Sequence, residues 1–242
     1  GTYFEKRAAQ LYFNGGKRDE IELCLQNIYA DFQFQWKWKK QKKEDWHLAW
    51  QDNFTPVVIE DKLAVIPHWQ DDISADLVIK IKPGMAFGTG HHETTWLMLN
   101  QVLKHVKSGM SILDLGAGSG ILSIASIKLG AEKVDAVEFD VDCESNFSEN
   151  LQLNQIEGNI HYYQHDVLNW KNFNYDIILA NINRNVIERL IPKFRGTKAK
   201  VILSGLLESD YEAIKHICQS QNFQVKEKMN KGEWICIELS SL

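Results

Sequence analysis

The chain has 242 residues, of which 44% are hydrophobic and 24% charged, with a formal net charge of −5. That leaves room for one large domain with a smaller appendage, in the composition of an ordinary globular protein. The acidic balance argues against a general nucleic-acid coat, and no apolar run approaches the roughly 18 residues that cross a bilayer.

Cys24, Cys143, Cys218 and Cys236 are widely spaced and form no C-x-x-C pair. Neither a zinc site nor a disulfide scaffold is therefore expected, and a reducing cytoplasm fits. No signal peptide opens the chain, whose first residue is Gly1 rather than Met.

Residues 3–13, YFEKRAAQLYF, read as two short strands about a turn. After the turn signal NGGKRDE, residues 19–29 read as a helix with a rough apolar face of Ile21, Leu23, Leu25 and Ile28. QFQWKWK at 33–39 alternates as a half-buried strand does. EDWHLAWQDNF then sets Trp46 and Trp50 four apart on one helical face. Together these make a small α+β unit over 1–43, followed by a connecting segment over 44–82. Lys37, Lys39, Lys40, Lys42 and Lys43 gather beside Trp36 and Trp38. A solvated strand edge accounts for such a run; contact with RNA or with an acidic partner is the sharper alternative.

Residues 83–95 read PGMAFGTGHHETT. Adjacent His91 and His92 point apart on a helix, and H-E-x-x-H is absent, so no metal site is expected. Glu93, Thr94 and Thr95 suit the cap and first turn of a helix over Trp96–Val102. His47 and His68 read as packing or surface residues.

Beyond residue 110 apolar strands alternate with helices. SILDLG (111–116), KVDAVEFD (133–140), NIHYYQHD (159–166), YDIILANI (175–182) and KVILSGL (200–206) are the strands. Helices lie between them, and another covers 208–221. QVKEKM and EWICIELSS, joined by NKGE, close the chain as a hairpin. The expected architecture is α/β: a doubly wound, mostly parallel seven-stranded sheet with an antiparallel C-terminal hairpin.

Ligands of such sheets sit at the carboxyl ends of the strands, where Gly116, Gly118 and Gly120 follow the first one. Glycine lets the backbone approach a ligand, and the helix beyond favours an anionic group. Glu138, ending the second strand, is placed to accept both hydroxyls of a ribose and to disfavour a 2′-phosphate. No G-x-x-x-x-G-K-[ST] is present, and no separate substrate domain follows the sheet as a hydride-transferring enzyme would need. S-adenosylmethionine fits better: a ribose for Glu138, an adenine amino group for Asp166, and an amino-acid tail for the glycine loop. Asp114 suits ordering that loop or meeting the ligand's ammonium group.

LDLGAGSGILSIASIKLGA, the acid in AVEFD, SENLQLN and the strand end ILANI resemble a class I methyltransferase, a Rossmann-like fold. PGMAFGTGHHETT, with EDWHLAWQDNFTPVVI and LAVIPHW before it, is similar to the PrmA family, the methyltransferases of large-ribosomal-subunit protein eleven. The resemblance covers 44–242 well. It implies that 83–242 is the methyltransferase domain and that 1–43 is the remainder of a ferredoxin-like substrate-recognition domain lacking its first strand and helix. It further implies that Thr95 and Gly116 contact S-adenosylmethionine, that Glu138 holds its ribose, and that Phe87 and Gly88 belong to a cover over it. Asn181 would lie beside the reactive methyl as the catalytic residue. Many amine methyltransferases carry N-P-P-[YF] at this strand end; here Asn181, Ile182 and Asn183 follow the PrmA pattern. The implied activity is methylation of lysine and N-terminal amines of a large-subunit ribosomal protein, by a cytoplasmic monomer without membrane or metal. A methyltransferase for another protein, RNA or a small molecule, or a non-catalytic cofactor-binding module, is the alternative.

Overall fold

The computed structural model describes residues 18–31, 34–38, 56–71, 73–83 and 92–241. The expected strands at 3–13, the helix at 44–54, Phe87, Gly88, His47, His91 and four of the five clustered lysines lie outside these residues. The chain divides into two compact units, Gly1–Asn53 and Phe54–Leu242.

In the first unit, helix α1 (Arg18–Asp31) stands where the apolar spacing places it. Of the expected strand at 33–39, the described residues 34–38 carry no strand pairing. Their alternation is answered by a helix side instead. The Trp36 and Trp38 indole N–H groups both donate to the Glu22 carboxylate, and Trp36 packs edge-on against Tyr29 at 5.9 Å. Arg18 lies over the Trp38 ring at 5.3 Å.

The second unit opens with a three-stranded sheet where a connecting segment was expected. Strands β1 (Val57–Ile59) and β2 (Leu63–Pro67) pair antiparallel, and β2 pairs parallel with β3 (Leu77–Ile81). Leu63, Val65, Ile79 and Ile81 are fully buried in the same cluster as Leu97, Met98 and Ile124 of the following helices. This small sheet is thus part of the large unit's core.

The main sheet is built from β4 (Ser111–Leu115), β5 (Lys133–Glu138), β6 (Ile160–Gln164), β7 (Ile177–Asn181), β8 (Lys200–Leu207), β9 (Phe223–Lys231) and β10 (Trp234–Ser241). Its order is β6-β5-β4-β7-β8-β10-β9, parallel through β8, with β10 antiparallel to both neighbours. The expected seven strands and closing hairpin are all present.

Helices α2 (Glu93–His105), α3 (Ile121–Lys128), α4 (Cys143–Leu153), α5 (Arg184–Leu190) and α6 (Tyr211–Ser220) complete the unit. Strand alternation explains the two cores. Ile177 and Leu179 face α2 and α3, whereas Ile178 and Ala180 face α5 and α6. A strand covered on both faces is apolar at every position, as IILA is. Among the described residues no helix is long and apolar enough to cross a membrane.

The order reverses at β4, whose neighbours β5 and β7 lead to opposite halves of the sheet. Such a switch point opens a crevice at the strands' carboxyl ends. Gly116 and Gly118, just after β4, Glu138, at the end of β5, and Asn181, at the end of β7, stand at these carboxyl ends.

Candidate functional site

The crevice is shaped by the turn out of β4. The N–H groups of Gly116 and Ala117 donate to the Val137 carbonyl at 2.8 and 3.2 Å, drawing the loop toward β5. Gly116 has φ +77°, and a β-carbon there would overlap Ile182 Cγ2, so glycine is required on both counts. Gly118 donates its N–H to Glu138 Oε2 at 2.9 Å. Glu138 Oε1 accepts from the N–H groups of Phe139 and Asp140 at 2.8 and 2.9 Å. The half-buried carboxylate is thereby held at the end of β5, joined to the glycine loop through Gly118.

Asp114, fully buried, sits one residue before the end of β4. Its Oδ2 accepts from the Ser123 hydroxyl at 2.6 Å, while Oδ1 has no partner. Burial, with a smaller push from the Glu138 charge, raises its pKa to about 6, against the pull of the Ser123 hydrogen bond.

Asn181 ends β7, directly after Ala180, which pairs with Leu115. Its Oδ1 is buried without a partner. The chain leaves Asn181 through Ile182, whose N–H donates to the Ser204 carbonyl at 3.2 Å. Asn183 then caps α5 by accepting from the Val186 N–H at 3.2 Å.

Helix α2 packs against β7 and β8. Its N-cap is His92, whose ring nitrogen Nδ1 accepts from the Thr94 N–H at 3.3 Å and pairs with the Thr94 hydroxyl at 2.8 Å. Glu93, Thr94 and Thr95 form the first turn, as expected, but the cap itself is the histidine. The His92 ring also meets Trp234 edge-on at 4.8 Å. Thr95 is fully buried and its hydroxyl has no partner. At the end of β6, Asp166 is half-buried and caps a short 3-10 turn, Oδ1 accepting from the Leu168 N–H at 2.8 Å.

Seven buried side-chain polar atoms lack a hydrogen-bond partner among the described residues, and three of them, Thr95 Oγ1, Asp114 Oδ1 and Asn181 Oδ1, belong to residues read from the sequence as facing the ligand. Glu138 ends β5, the strand beside β4; Asp166 follows β6, the next strand out; Gly116 and Gly118 line the turn that leaves β4.

The model of one protein family, described as ribosomal protein L11 methyltransferase (PrmA), matches residues 4–241. The chain belongs to that family. It is 30% identical over 224 residues to the ribosomal protein L11 methyltransferase of Dictyoglomus turgidum, covering 90% of this chain and 74% of the relative. To that of Acetivibrio thermocellus it is 35% identical over 205 residues, spanning 65% of the relative's length. The solved ribosomal protein L11 methylase of Lactobacillus delbrueckii subsp. bulgaricus superposes with a TM-score of 0.72 at 30% identity, over 78% of this chain and 99% of that one.

Some residues of this L11 methyltransferase-family site escape sequence reasoning. Gly205, in β8, has φ +89°, and a β-carbon there would lie 2.7 Å from the Ile182 carbonyl carbon. Together with Gly116 it makes the slot that Ile182 occupies. Ser123, the partner of Asp114, reads only as a small helix residue. His68 is exposed, the surface alternative of the expectation, with its ring 4.9 Å from that of the also exposed Trp69.

Away from the crevice, His105 lies 2.9 Å from Glu238 Oε2, close to Glu227. Lys104 pairs with Glu227 at 2.5 Å, and Lys200 pairs with Glu238. With two ammonium groups balancing two carboxylates, this cluster is an ion-pair network.

Proposed function

We propose that the chain is an S-adenosylmethionine-dependent N-methyltransferase whose substrate is ribosomal protein L11, modified on lysine and N-terminal amines. Membership of the family makes it a methyltransferase. The observation that carries the site assignment is the set of buried, unpartnered oxygens on Thr95, Asp114 and Asn181. Each such group costs about 1–3 kcal/mol if nothing meets it. A ligand with an ammonium group, hydroxyls and an amine substrate beside it meets all three.

S-adenosylmethionine supplies an electrophilic sulfonium methyl for in-line displacement. Within this reading, Asp114 accepts from the ammonium end of the cofactor. Gly116 and Gly118 let the backbone approach, Glu138 accepts from the ribose hydroxyls, Asp166 from the adenine amino group, and Thr95 closes the site from α2. Phe87 and Gly88 complete the cover. Asn181 Oδ1 accepts a hydrogen bond from the incoming amine and aligns its lone pair with the methyl; such positioning supplies much of the acceleration.

The nucleophile must be neutral. A lysine near pKa 10.4 is mostly protonated at pH 7, an α-amine near 7.7–8.0 much less so. Desolvation in the crevice and the cofactor's own positive charge both favour the neutral form. No side chain here is assigned as a general base. The proposal takes the enzyme to be a cytoplasmic monomer whose N-terminal unit contributes to substrate recognition.

The test is transfer of labelled methyl from S-adenosylmethionine to purified L11, to ribosomal RNA and to small amines in parallel. Label in L11 alone supports the proposal. Label in RNA or a small amine instead assigns a different substrate, and tight cofactor binding with no transfer assigns a binding module.

A further inference from the structure

Helix α4 and its C-cap carry asparagine at 146, 150 and 154, four residues apart, and all three are at least nine-tenths buried. Periodicity would give such a polar stripe to solvent. Here it faces the outer edge of β3. The Lys80 N–H donates to Asn154 Oδ1 at 3.0 Å, and Asn154 Nδ2 donates to the Lys80 carbonyl at 2.6 Å. One pleat further on, the Lys82 N–H donates to Asn150 Oδ1 at 2.8 Å, and Asn146 Nδ2 donates to the Lys82 carbonyl at 2.9 Å.

Each carboxamide offers a donor and an acceptor, so the ladder does for β3 what a neighbouring strand would do. It satisfies the main-chain groups that an edge leaves open. Edge protection alone explains Asn154 and Asn146. It does not explain one further contact that leaves the helix: Asn150 Nδ2 donates to the Ser119 carbonyl at 2.9 Å. Ser119 belongs to the glycine loop, between Gly118 and Gly120, and is 1% exposed.

Asn150 therefore grips two segments at once. One is the loop that approaches the cofactor. The other is the strand end at Lys82, immediately before PGMAFGTGH. Wholly buried, with its oxygen and nitrogen both engaged, Asn150 fixes the spacing between them.

We propose that Asn150 is a positioning residue for methyl transfer, setting the glycine loop against the chain that enters residues 84–91. This rests on the S-adenosylmethionine site proposed above. The other two asparagines serve the fold; Asn150 serves the site as well.

The experiment compares Asn150→Leu with Asn154→Leu in the full chain. Each replaces a buried carboxamide by an apolar isostere and strips hydrogen bonds from β3, so both lower the thermal midpoint. Cofactor affinity, read by calorimetry, should fall about tenfold in Asn150→Leu and stay within about twofold of wild type in Asn154→Leu. Should Asn150→Leu fail to fold, Asn150→Asp keeps the acceptor for Lys82 and removes the donor to Ser119. Measured above pH 8, where the new carboxylate is ionised, it should show the same loss of affinity. If the Asn150 variants bind the cofactor as wild type does, or Asn154→Leu loses as much affinity, the ladder is an edge cap only and the proposal fails. Wild-type protein that binds no S-adenosylmethionine would overturn the site assignment itself, a separate and recognisable outcome.

Discussion

The backbone of Ile182 runs so close to Gly205 that a β-carbon on the glycine would lie 2.7 Å from the Ile182 carbonyl carbon and 3.1 Å from its nitrogen. The obstacle is main chain, which cannot rotate away, and Gly205 also sits at φ +89°. Gly205→Ala is therefore expected to destabilise the protein by roughly 2 kcal/mol or more, from the left-handed conformation together with the displaced backbone. Because Asn181 immediately precedes Ile182, turnover should fall further than stability accounts for. A thermal midpoint and kcat both equal to wild type would show that Ile182 is not held by Gly205.

Glu138 has two tasks that a pair of variants separates. Its carboxylate accepts from Gly118, Phe139 and Asp140 N–H groups and, in the proposed complex, from ribose hydroxyls. Glu138→Ala should weaken S-adenosylmethionine binding by about 1–3 kcal/mol. Glu138→Gln keeps one oxygen as an acceptor and should lose less. Unchanged affinity of Glu138→Ala in calorimetry would remove Glu138 from the ribose site and leave it as a brace for the loop.

Asn181→Ala should lower kcat more than it lowers cofactor affinity, since the side chain is proposed to align the amine. The buried Oδ1 has no protein partner to lose, so the fold should tolerate the change. Steady-state kinetics beside calorimetry decides it: equal losses in both quantities would assign Asn181 to cofactor binding alone.

Asp114 gives the site a pH dependence of known sign. Burial raises its pKa from 3.8 to about 6 in the cofactor-free fold. A raised acid favours the folded state fully below the unfolded value, and that contribution disappears as pH rises through the folded value. At pH 8 the penalty is roughly 3 kcal/mol, at 1.36 kcal/mol per unit. Asp114→Asn should therefore raise the thermal midpoint of the cofactor-free protein at pH 8 and not at pH 4. Cofactor affinity should rise through pH 6 in wild type, as the carboxylate ionises to meet an ammonium group, and lose that rise in the variant. An equal midpoint difference at both pH values would contradict the assignment of a raised Asp114.

Much of this was legible in the sequence, and what was not has physical reasons. β4, β5 and β7 announce themselves because strands covered on both faces are mostly apolar runs, here closed by glycine after β4, by Glu138 in β5 and by Asn181 in β7. The ends of those strands then locate Gly116, Glu138 and Asn181 before any coordinate is seen. β1 has three residues and its neighbours five, too short for alternation to distinguish a sheet from a connecting segment. Trp36 and Trp38 alternate like a strand but answer to Glu22, a partner fourteen and sixteen positions away. Asn146, Asn150 and Asn154 look like a solvated helix face because the groups they satisfy are main-chain groups of Lys80, Lys82 and Ser119, distant in sequence. Gly205 looks like a weak point in a strand until Ile182 is found lying against it. The roles of Thr95 and Asn181 came from the family pattern, since a buried threonine and a strand-end asparagine carry no periodic signal.

The central claim is that this chain transfers methyl groups from S-adenosylmethionine to ribosomal protein L11. Intact-mass measurement of purified L11, incubated with the protein and cofactor, tests it most directly. The expected result is a shift of L11 by whole increments of one methylene, absent without cofactor and sharply reduced with Asn181→Ala. An unshifted L11 mass, obtained with enzyme that demonstrably binds S-adenosylmethionine, would contradict it.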